Sequence, residues 1–135
     1  MKLNVELEEL IASPPDKVWK ALTDPAQLAR WLMPNDFEPR VGKRFTLTAD
    51  CPAAWDGDVA CEVLELVPAE RMVWSWQTSG MERPSRVVFE LRPSGSGTRL
   101  CLVHTGEADE PIARDLGSGW PKKIASLAAL DVQGA

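Results

Sequence analysis

Histidine and cysteine are scarce in this chain, whose 135 residues include one histidine and three cysteines. Cys51, Cys61 and Cys101 are widely spaced and form no CxxC pair. A zinc site requires a closely spaced set of Cys and His ligands, so we expect no metal, and no cofactor motif is present. We interpret Cys61 and Cys101 as small, buried apolar side chains.

Clustered positive charge and long apolar runs are also missing. The net charge is -5 and the Lys and Arg residues are scattered, so nucleic acid is not an expected partner. No apolar stretch approaches the roughly 20 residues that a bilayer span requires. The N-terminal segment MKLNVELEEL lacks the basic and apolar regions of a signal peptide. We therefore expect no membrane insertion and a cytoplasmic location.

Known catalytic motifs are absent as well. The chain has no GxSxG, P-loop, dinucleotide fingerprint or HExxH sequence, so a non-catalytic protein is favoured. Asp56 and Asp58 flank Gly57 and are candidates for a metal site or an acid-base pair. Because Asp-Gly is a turn signal, we predict instead a turn or a solvated strand edge.

Period-two alternation of apolar and polar residues predicts a sheet. Leu3, Val5 and Leu7 alternate with polar residues in an N-terminal strand, and the pattern lapses at Leu10 and Ile11. Five further strands are predicted near residues 43–49, 56–66, 70–77, 85–92 and 98–105. Their short connections predict an antiparallel meander, with the N-terminal strand pairing at one edge.

Two short helices are predicted between the first and second strands. Ser13 precedes two prolines and is the expected cap of the first helix, with Val18 and Leu22 on its apolar face. Asp24 followed by Pro25 predicts the cap and first residue of the second helix.

The C-terminal segment has helical spacing, but it contains a proline. Apolar residues follow one another in steps of four from Ile112 to Ile124. Because an interior proline costs about 3 kcal/mol, Pro121 predicts a divided element. The main helix would begin near Ser118, with Pro121 in its first turn, and would be short.

Four phrases, taken together, indicate a family. They are SPPDKVWKALTDPAQLARWLMP, EVLELVPAERMVWSW, VVFELRPSGSGTRLCLVHTG and GWPKKIASLAAL. They resemble the START-like SRPBCC superfamily and, within it, bacterial proteins similar to the activator of heat-shock-protein-ninety ATPase. The resemblance spans nearly the whole chain, so we expect one domain over residues 1–135.

The resemblance implies an α+β helix-grip fold of the START and birch-pollen-allergen type. That fold has an N-terminal strand, two short helices, a curved antiparallel meander and a C-terminal helix packed across the sheet. In relatives, the sheet and the helix enclose a pocket that accepts lipids, polyketides or other apolar molecules. This chain departs from the pattern at Pro121, which follows Trp120 and predicts a shortened or bent lid.

Counting by twos along the strands predicts the pocket lining, because alternate side chains share a face. The expected ligand-binding residues are Phe45, Met72, Trp74, Trp76, Phe89, Leu102, His104, Leu116 and Trp120. The alternative is that the aromatic rings fill the core. With strict strand alternation, Glu62 and Glu65 fall on opposite faces of their strand. Period two alone therefore does not tell which face of that strand is buried.

Two further residues have open roles. His104 lies on an inward strand face and could orient a polar ligand group or act as an acid or base, or it could be a structural histidine. Trp31 could gate the cavity mouth with Arg30, although an anchor holding its helix on the sheet fits the sequence better.

Three functions follow from these observations. The first is a non-catalytic domain that binds a small apolar or amphipathic molecule between the sheet and the C-terminal helix. The second is a protein-interaction module whose partner is a chaperone ATPase. The third is a cyclase- or hydrolase-like enzyme that uses His104 as a base. The ligand and the oligomeric state do not follow from the sequence.

Overall fold

The computed structural model describes residues 2–48, 58–78 and 81–134. Within these ranges, six strands and three helices follow the predicted order. Their bounds are β1 (Lys2–Ile11), α1 (Pro15–Thr23), α2 (Pro25–Trp31), β2 (Arg44–Thr48), β3 (Asp58–Val67), β4 (Arg71–Gln77), β5 (Ser85–Ser94), β6 (Gly97–Glu107) and α3 (Glu110–Gly134). Asp56 and Gly57 lie outside the described residues, whereas Asp58 is the exposed first residue of β3.

The strands form one antiparallel sheet in the order β1-β6-β5-β4-β3-β2. Strands β2 to β6 are the predicted meander, and β1 pairs with β6 along its whole length. The predicted lapse at the end of β1 was wrong. Leu10 is 64% exposed and Ile11 is 3% exposed, so the alternation continues to the last residue of the strand.

A β-bulge at Leu64 changes the face assignment within β3. The register shifts there, so Glu62 pairs with Ser75 and Glu65 pairs with Val73. One extra residue reverses the alternation, and both glutamates therefore lie on the outer face of the sheet. The prediction that they occupy opposite faces was wrong, because uninterrupted period two cannot anticipate a bulge.

The two short helices begin by different devices. Asp24 caps α2 as predicted, since its carboxylate accepts a hydrogen bond from the Ala26 N–H at 3.1 Å, and Pro25 is the first helical residue. The N-cap of α1 is Pro14, with no side-chain cap, so the predicted capping role of Ser13 was wrong. The Ser13 carbonyl instead accepts a hydrogen bond from the Thr98 hydroxyl at 2.7 Å. That bond ties the start of α1 to β6.

Helix α3 is continuous over 25 residues, so the predicted division and the short final helix were both wrong. Pro121 lies inside the helix on its exposed side. The carbonyl that loses its N–H partner belongs to Gly117, which is also exposed, so water can hydrate it. The opposite side buries Ile112, Trp120 and Leu127 in the core. Tertiary packing of this face offsets the local cost of the proline.

The core forms one continuous cluster between the inner face of the sheet and the helices. Its side chains come from all six strands and all three helices of the described residues. A six-stranded antiparallel sheet with a long C-terminal helix against it is the α+β helix-grip arrangement that the resemblance implies. No helix in the described ranges is both long and apolar enough to cross a bilayer.

Candidate functional site

Aromatic rings form a continuous row across the interior. Trp74 on β4 contacts Phe45 on β2 and Phe89 on β5, with ring centroids 5.1 and 4.8 Å apart. Trp120 on α3 continues the row, with centroids 6.2 Å from Phe89 and 5.4 Å from Trp76. Because these pairs adopt the tilted and edge-to-face arrangements that aromatic rings prefer, they stabilise the interface between the helix and the sheet.

A chain of hydrogen bonds crosses the same interface at His104, which is fully buried. The Trp120 indole N–H donates to Nδ1 of His104 at 2.9 Å. Nε2 of His104 lies 2.7 Å from the Ser85 hydroxyl oxygen, and that hydroxyl donates to the Trp76 carbonyl at 2.6 Å. These hydrogen bonds therefore join α3 to strands β4, β5 and β6.

The donors in this series of hydrogen bonds fix the position of the imidazole proton of His104. An indole N–H only donates, so Nδ1 of His104 is the acceptor and the neutral ring has its proton on Nε2. His104 then donates to Ser85, and Ser85 donates to the Trp76 carbonyl. Ser85 and His104 are close enough to act as a nucleophile and its base. However, Nε2 of His104 already carries a proton, so it has no lone pair to accept the proton of Ser85. The geometry favours a structural histidine.

Protonation of His104 is disfavoured by its surroundings. Burial lowers the pKa of its imidazole from an ordinary value of 6.5 to about 3. A proton on Nδ1 would also face the indole N–H of Trp120, so two donors would oppose each other. His104 is therefore neutral at physiological pH.

Two of the core indoles have unpaired N–H groups. Nε1 of Trp74 and Nε1 of Trp76 are both buried and have no hydrogen-bond partner among the described residues. In contrast, Trp31 donates to the Ala21 carbonyl at 2.8 Å. A buried donor without an acceptor costs about 1–3 kcal/mol. An acceptor from outside the chain, such as a water or a ligand atom, would remove this cost.

A small cavity of about 60 Å³ lies where α3 meets the end of α2 and strand β4. Its walls include Trp76, Leu116, Gly119 and Trp120. The remaining wall residues are Leu32, Met33, Asp115 and Lys123. Ligand pockets typically measure 300–1,000 Å³, so this space admits only part of a molecule or a few waters.

Gly119 is a wall residue of this space. A β-carbon built on it meets no atom of the described residues within 4 Å. Glycine in the middle of a helix costs about 1 kcal/mol relative to alanine, yet α3 has two of them, Gly117 and Gly119. The missing side chain at position 119 leaves an opening between α3 and α2.

An outer groove of about 520 Å³ continues from the cavity to the surface. The two spaces share Leu32, Met33, Gly119 and Lys123 as wall residues. Nζ of Lys123 donates to the Leu32 carbonyl at 2.7 Å, which links α3 to the end of α2 across the boundary. The inner cavity and the outer groove therefore adjoin, and a path through both would run from solvent to Trp76.

All nine predicted site residues are buried, but they occupy different places. Trp76, Leu116 and Trp120 line the cavity. The others lie deeper in the core, namely Phe45, Met72, Trp74, Phe89, Leu102 and His104. Trp31 is 2% exposed and its indole N–H holds α2 against α1, whereas the predicted anchor contact was with the sheet. Arg30 lines the outer groove. The role of the nine residues in binding stays a prediction.

Sequence reasoning missed several residues that shape the site. Ser85 was not assigned as the partner of His104, and Gly119 and Lys123 were not assigned to the cavity. The two glycines inside a helical pattern were the available signal for an opening. Nothing in sequence spacing marks Ser85, because only the pairing of β5 with β6 brings it beside His104.

The cysteines offer no reactive thiol in the described residues. Cys61 is buried, and burial raises the pKa of its thiol. Cys101 is half-buried on the outer face, where partial burial and then the nearby Glu8 and Glu90 raise its pKa. Both thiols are therefore protonated at neutral pH. Cys51 lies outside the described residues, and within them no group of His, Cys, Asp or Glu side chains is arranged to hold a metal ion.

The family follows from comparison with known proteins. The family model for Activator of Hsp90 ATPase homolog 1-like protein matches residues 12–130. The chain belongs to this family. Membership supports a ligand-binding domain or a protein-interaction role at the level of the family. None of the curated proteins matches the chain.

Solved structures agree with the family assignment. Protein MLL2253 from Mesorhizobium loti is 34% identical with a TM-score of 0.86, and the match covers 98% of each chain. CalU16 from Micromonospora echinospora is 27% identical with a TM-score of 0.79, covering 95% of this chain and 75% of that one. The Aha1 dimer from Colwellia psychrerythraea is 18% identical with a TM-score of 0.80, covering 93% of each chain, and shows the fold alone.

Proposed function

We propose that the chain is a non-catalytic binding domain for a small apolar or amphipathic molecule, which enters between α2 and α3 and reaches the indole of Trp76. The observation that carries this proposal is that Trp76, a wall residue of the cavity, has a buried indole N–H with no partner among the described residues. A ligand carbonyl or other acceptor would satisfy this donor and remove its desolvation cost. The apolar walls would contribute about 25 cal/mol for each Å² of apolar surface that they cover.

The cavity, at about 60 Å³, is smaller than a typical ligand, so part of the ligand lies in the outer groove or binding parts the helices. The helices are joined near the cavity by the hydrogen bond from Lys123 to the Leu32 carbonyl. Breaking one such bond to a charged donor costs about 1.5–3 kcal/mol. Burial of a few CH₂ groups at about 0.8 kcal/mol each offsets that cost.

Two glycine variants of α3 test the proposal. Gly119→Leu places a side chain in the cavity, whereas Gly117→Leu adds the same side chain on the exposed side of the helix. Both changes replace a helical glycine and should raise stability by a similar amount, up to about 1 kcal/mol. Binding is measured by the fluorescence of the neutral probe N-phenylnaphthylamine and by thermal shift.

We expect the wild type and Gly117→Leu to bind the probe with similar affinity. Gly119→Leu should bind at least about tenfold more weakly, which corresponds to 1.4 kcal/mol. Absence of binding to the wild type, or equal binding to both variants, would contradict the proposal. The chaperone alternative rests on family membership. Equal stimulation of the cognate chaperone's ATPase rate by wild type and Gly119→Leu would support that alternative.

A further inference from the structure

Basic side chains line the outer groove, although the chain as a whole is acidic. Arg30 from α2 and Lys122 and Lys123 from α3 are wall residues of the groove. Its described wall residues include no Asp or Glu, while the net charge of the chain is -5. Three positively charged side chains in one groove create a local positive potential that attracts anions.

Two of these cations are available to a ligand. Arg30 and Lys122 are exposed, and within the described ranges neither forms an ion pair with a carboxylate. Lys123 is already engaged, since its Nζ donates to the Leu32 carbonyl. Binding an anion at Arg30 and Lys122 therefore breaks no salt bridge between described residues.

The chemistry of the path changes along its length. The inner end is apolar and aromatic, with Trp76, Leu116 and Trp120 among its walls, and the indole N–H of Trp76 has no partner among the described residues. Asp115 is the acidic residue of the inner walls and also has an interaction of its own. The outer end is basic. A molecule lying along this path needs an apolar part at one end and a negative charge at the other.

We propose that the ligand is an amphipathic carboxylate. Its apolar part lies in the inner cavity against Trp76 and Trp120, and its carboxylate lies in the outer groove against Arg30 and Lys122. This inference rests on the proposed binding function and adds the charge of the ligand and the position of its head group. Arg favours such a ligand because its planar guanidinium forms paired hydrogen bonds to a carboxylate.

Octanoate and octanamide test whether the head group must be charged, because they have the same alkyl chain and only octanoate is negatively charged. Each is titrated against the full chain by calorimetry, well below micelle-forming concentrations. We expect octanoate to bind about tenfold more tightly than octanamide at low salt. Added salt should reduce this advantage, since it screens an exposed charge pair.

The double variant Arg30→Gln/Lys122→Gln tests the location of the head group. It should bind octanoate only as tightly as octanamide, and its affinity for octanamide should equal that of the wild type. Lys17→Gln/Lys20→Gln is the matched control, because it removes two exposed cations from α1 that are not among the groove residues. The control should retain the preference for octanoate to within about twofold, because its two charges lie outside the groove.

The outcomes separate the two proposals. Equal affinity for octanoate and octanamide, with N-phenylnaphthylamine still displaced, would overturn the anionic ligand and leave the binding function intact. No binding of either molecule, together with no binding of the naphthylamine probe, would overturn both. Adsorption to vesicles of phosphatidylglycerol without binding of free octanoate would also overturn the proposal, since the basic groove would then contact a membrane surface.

Discussion

At the scale of single residues, the neutral imidazole of His104 makes stability depend on pH. Its pKa is lowered from 6.5 to about 3 by burial, so the unfolded chain takes up the proton first as the pH falls. The stabilising contribution is complete above pH 6.5 and is lost as the pH falls through the window towards 3. The slope is at most about 1.4 kcal/mol per pH unit.

Urea unfolding at a series of pH values checks this contribution. We expect the free energy of unfolding of the wild type to fall between pH 6.5 and about pH 5, where few carboxylates titrate. His104→Gln keeps an amide that can donate and accept but does not titrate, so its stability should change less over the same range. Parallel curves for the two proteins would show that His104 does not have a lowered pKa.

Two buried tryptophans provide a matched comparison of paired and unpaired N–H groups. The Ala21 carbonyl accepts from Trp31, and the residue four positions later is Pro25, which has no N–H to supply. Trp31→Phe therefore leaves a buried carbonyl unsatisfied, whereas Trp74→Phe removes a donor that has no partner. We expect Trp31→Phe to cost about 1–3 kcal/mol more than Trp74→Phe in chemical unfolding. A smaller cost for Trp31→Phe would contradict this account.

Residue positions followed from the sequence better than residue partners did. Period two correctly placed Trp74 and Trp76 on the inner face, because successive strand side chains point to opposite faces. It could not pair His104 with Ser85, which is 19 positions away. That contact depends on the register between β5 and β6.

At the scale of secondary structure elements, Pro121 distinguishes a continuous α3 from a divided one. In a continuous helix, Pro121→Ala restores the hydrogen bond to the Gly117 carbonyl, so we expect stability to rise by about 1–3 kcal/mol. If a new helix began near Ser118, the proline would lie in a first turn and the change would be near neutral. Thermal unfolding of Pro121→Ala beside Gly117→Ala, which should gain up to about 1 kcal/mol, gives the measurement.

The error in α3 has a physical origin. Helix propensity assigns Pro121 the full destabilisation of a proline inside a helix. Propensity carries no information about the apolar surface that the rest of the helix buries. Ile112, Trp120, Ile124 and Leu127 pack into one core cluster, which holds the helix together across the proline. The strands were easier to predict, because the same alternation that defines them also decides which face is buried.

At the scale of the whole molecule, the position of a strand in the sheet should set the exchange rates of its amide hydrogens. Strands β3, β4, β5 and β6 are flanked on both sides, whereas β2 is a five-residue edge strand. We expect amides of β5 and β6 to exchange only on global unfolding and those of β2 to exchange by local opening. Hydrogen exchange followed by NMR or mass spectrometry tests this order, and equal protection in β2 and β5 would be inconsistent with it.

The close approach of Trp76 and Trp120 also has a spectroscopic consequence. Their ring centroids are 5.4 Å apart, one ring on the sheet and the other on α3. Indoles at this distance share electronic excitation, so the pair should produce a coupled band in the circular dichroism of the folded chain. Since the cavity lies between these elements, any molecule that moves α3 away from β4 weakens the coupling. The protein thereby contains its own optical reporter of cavity opening.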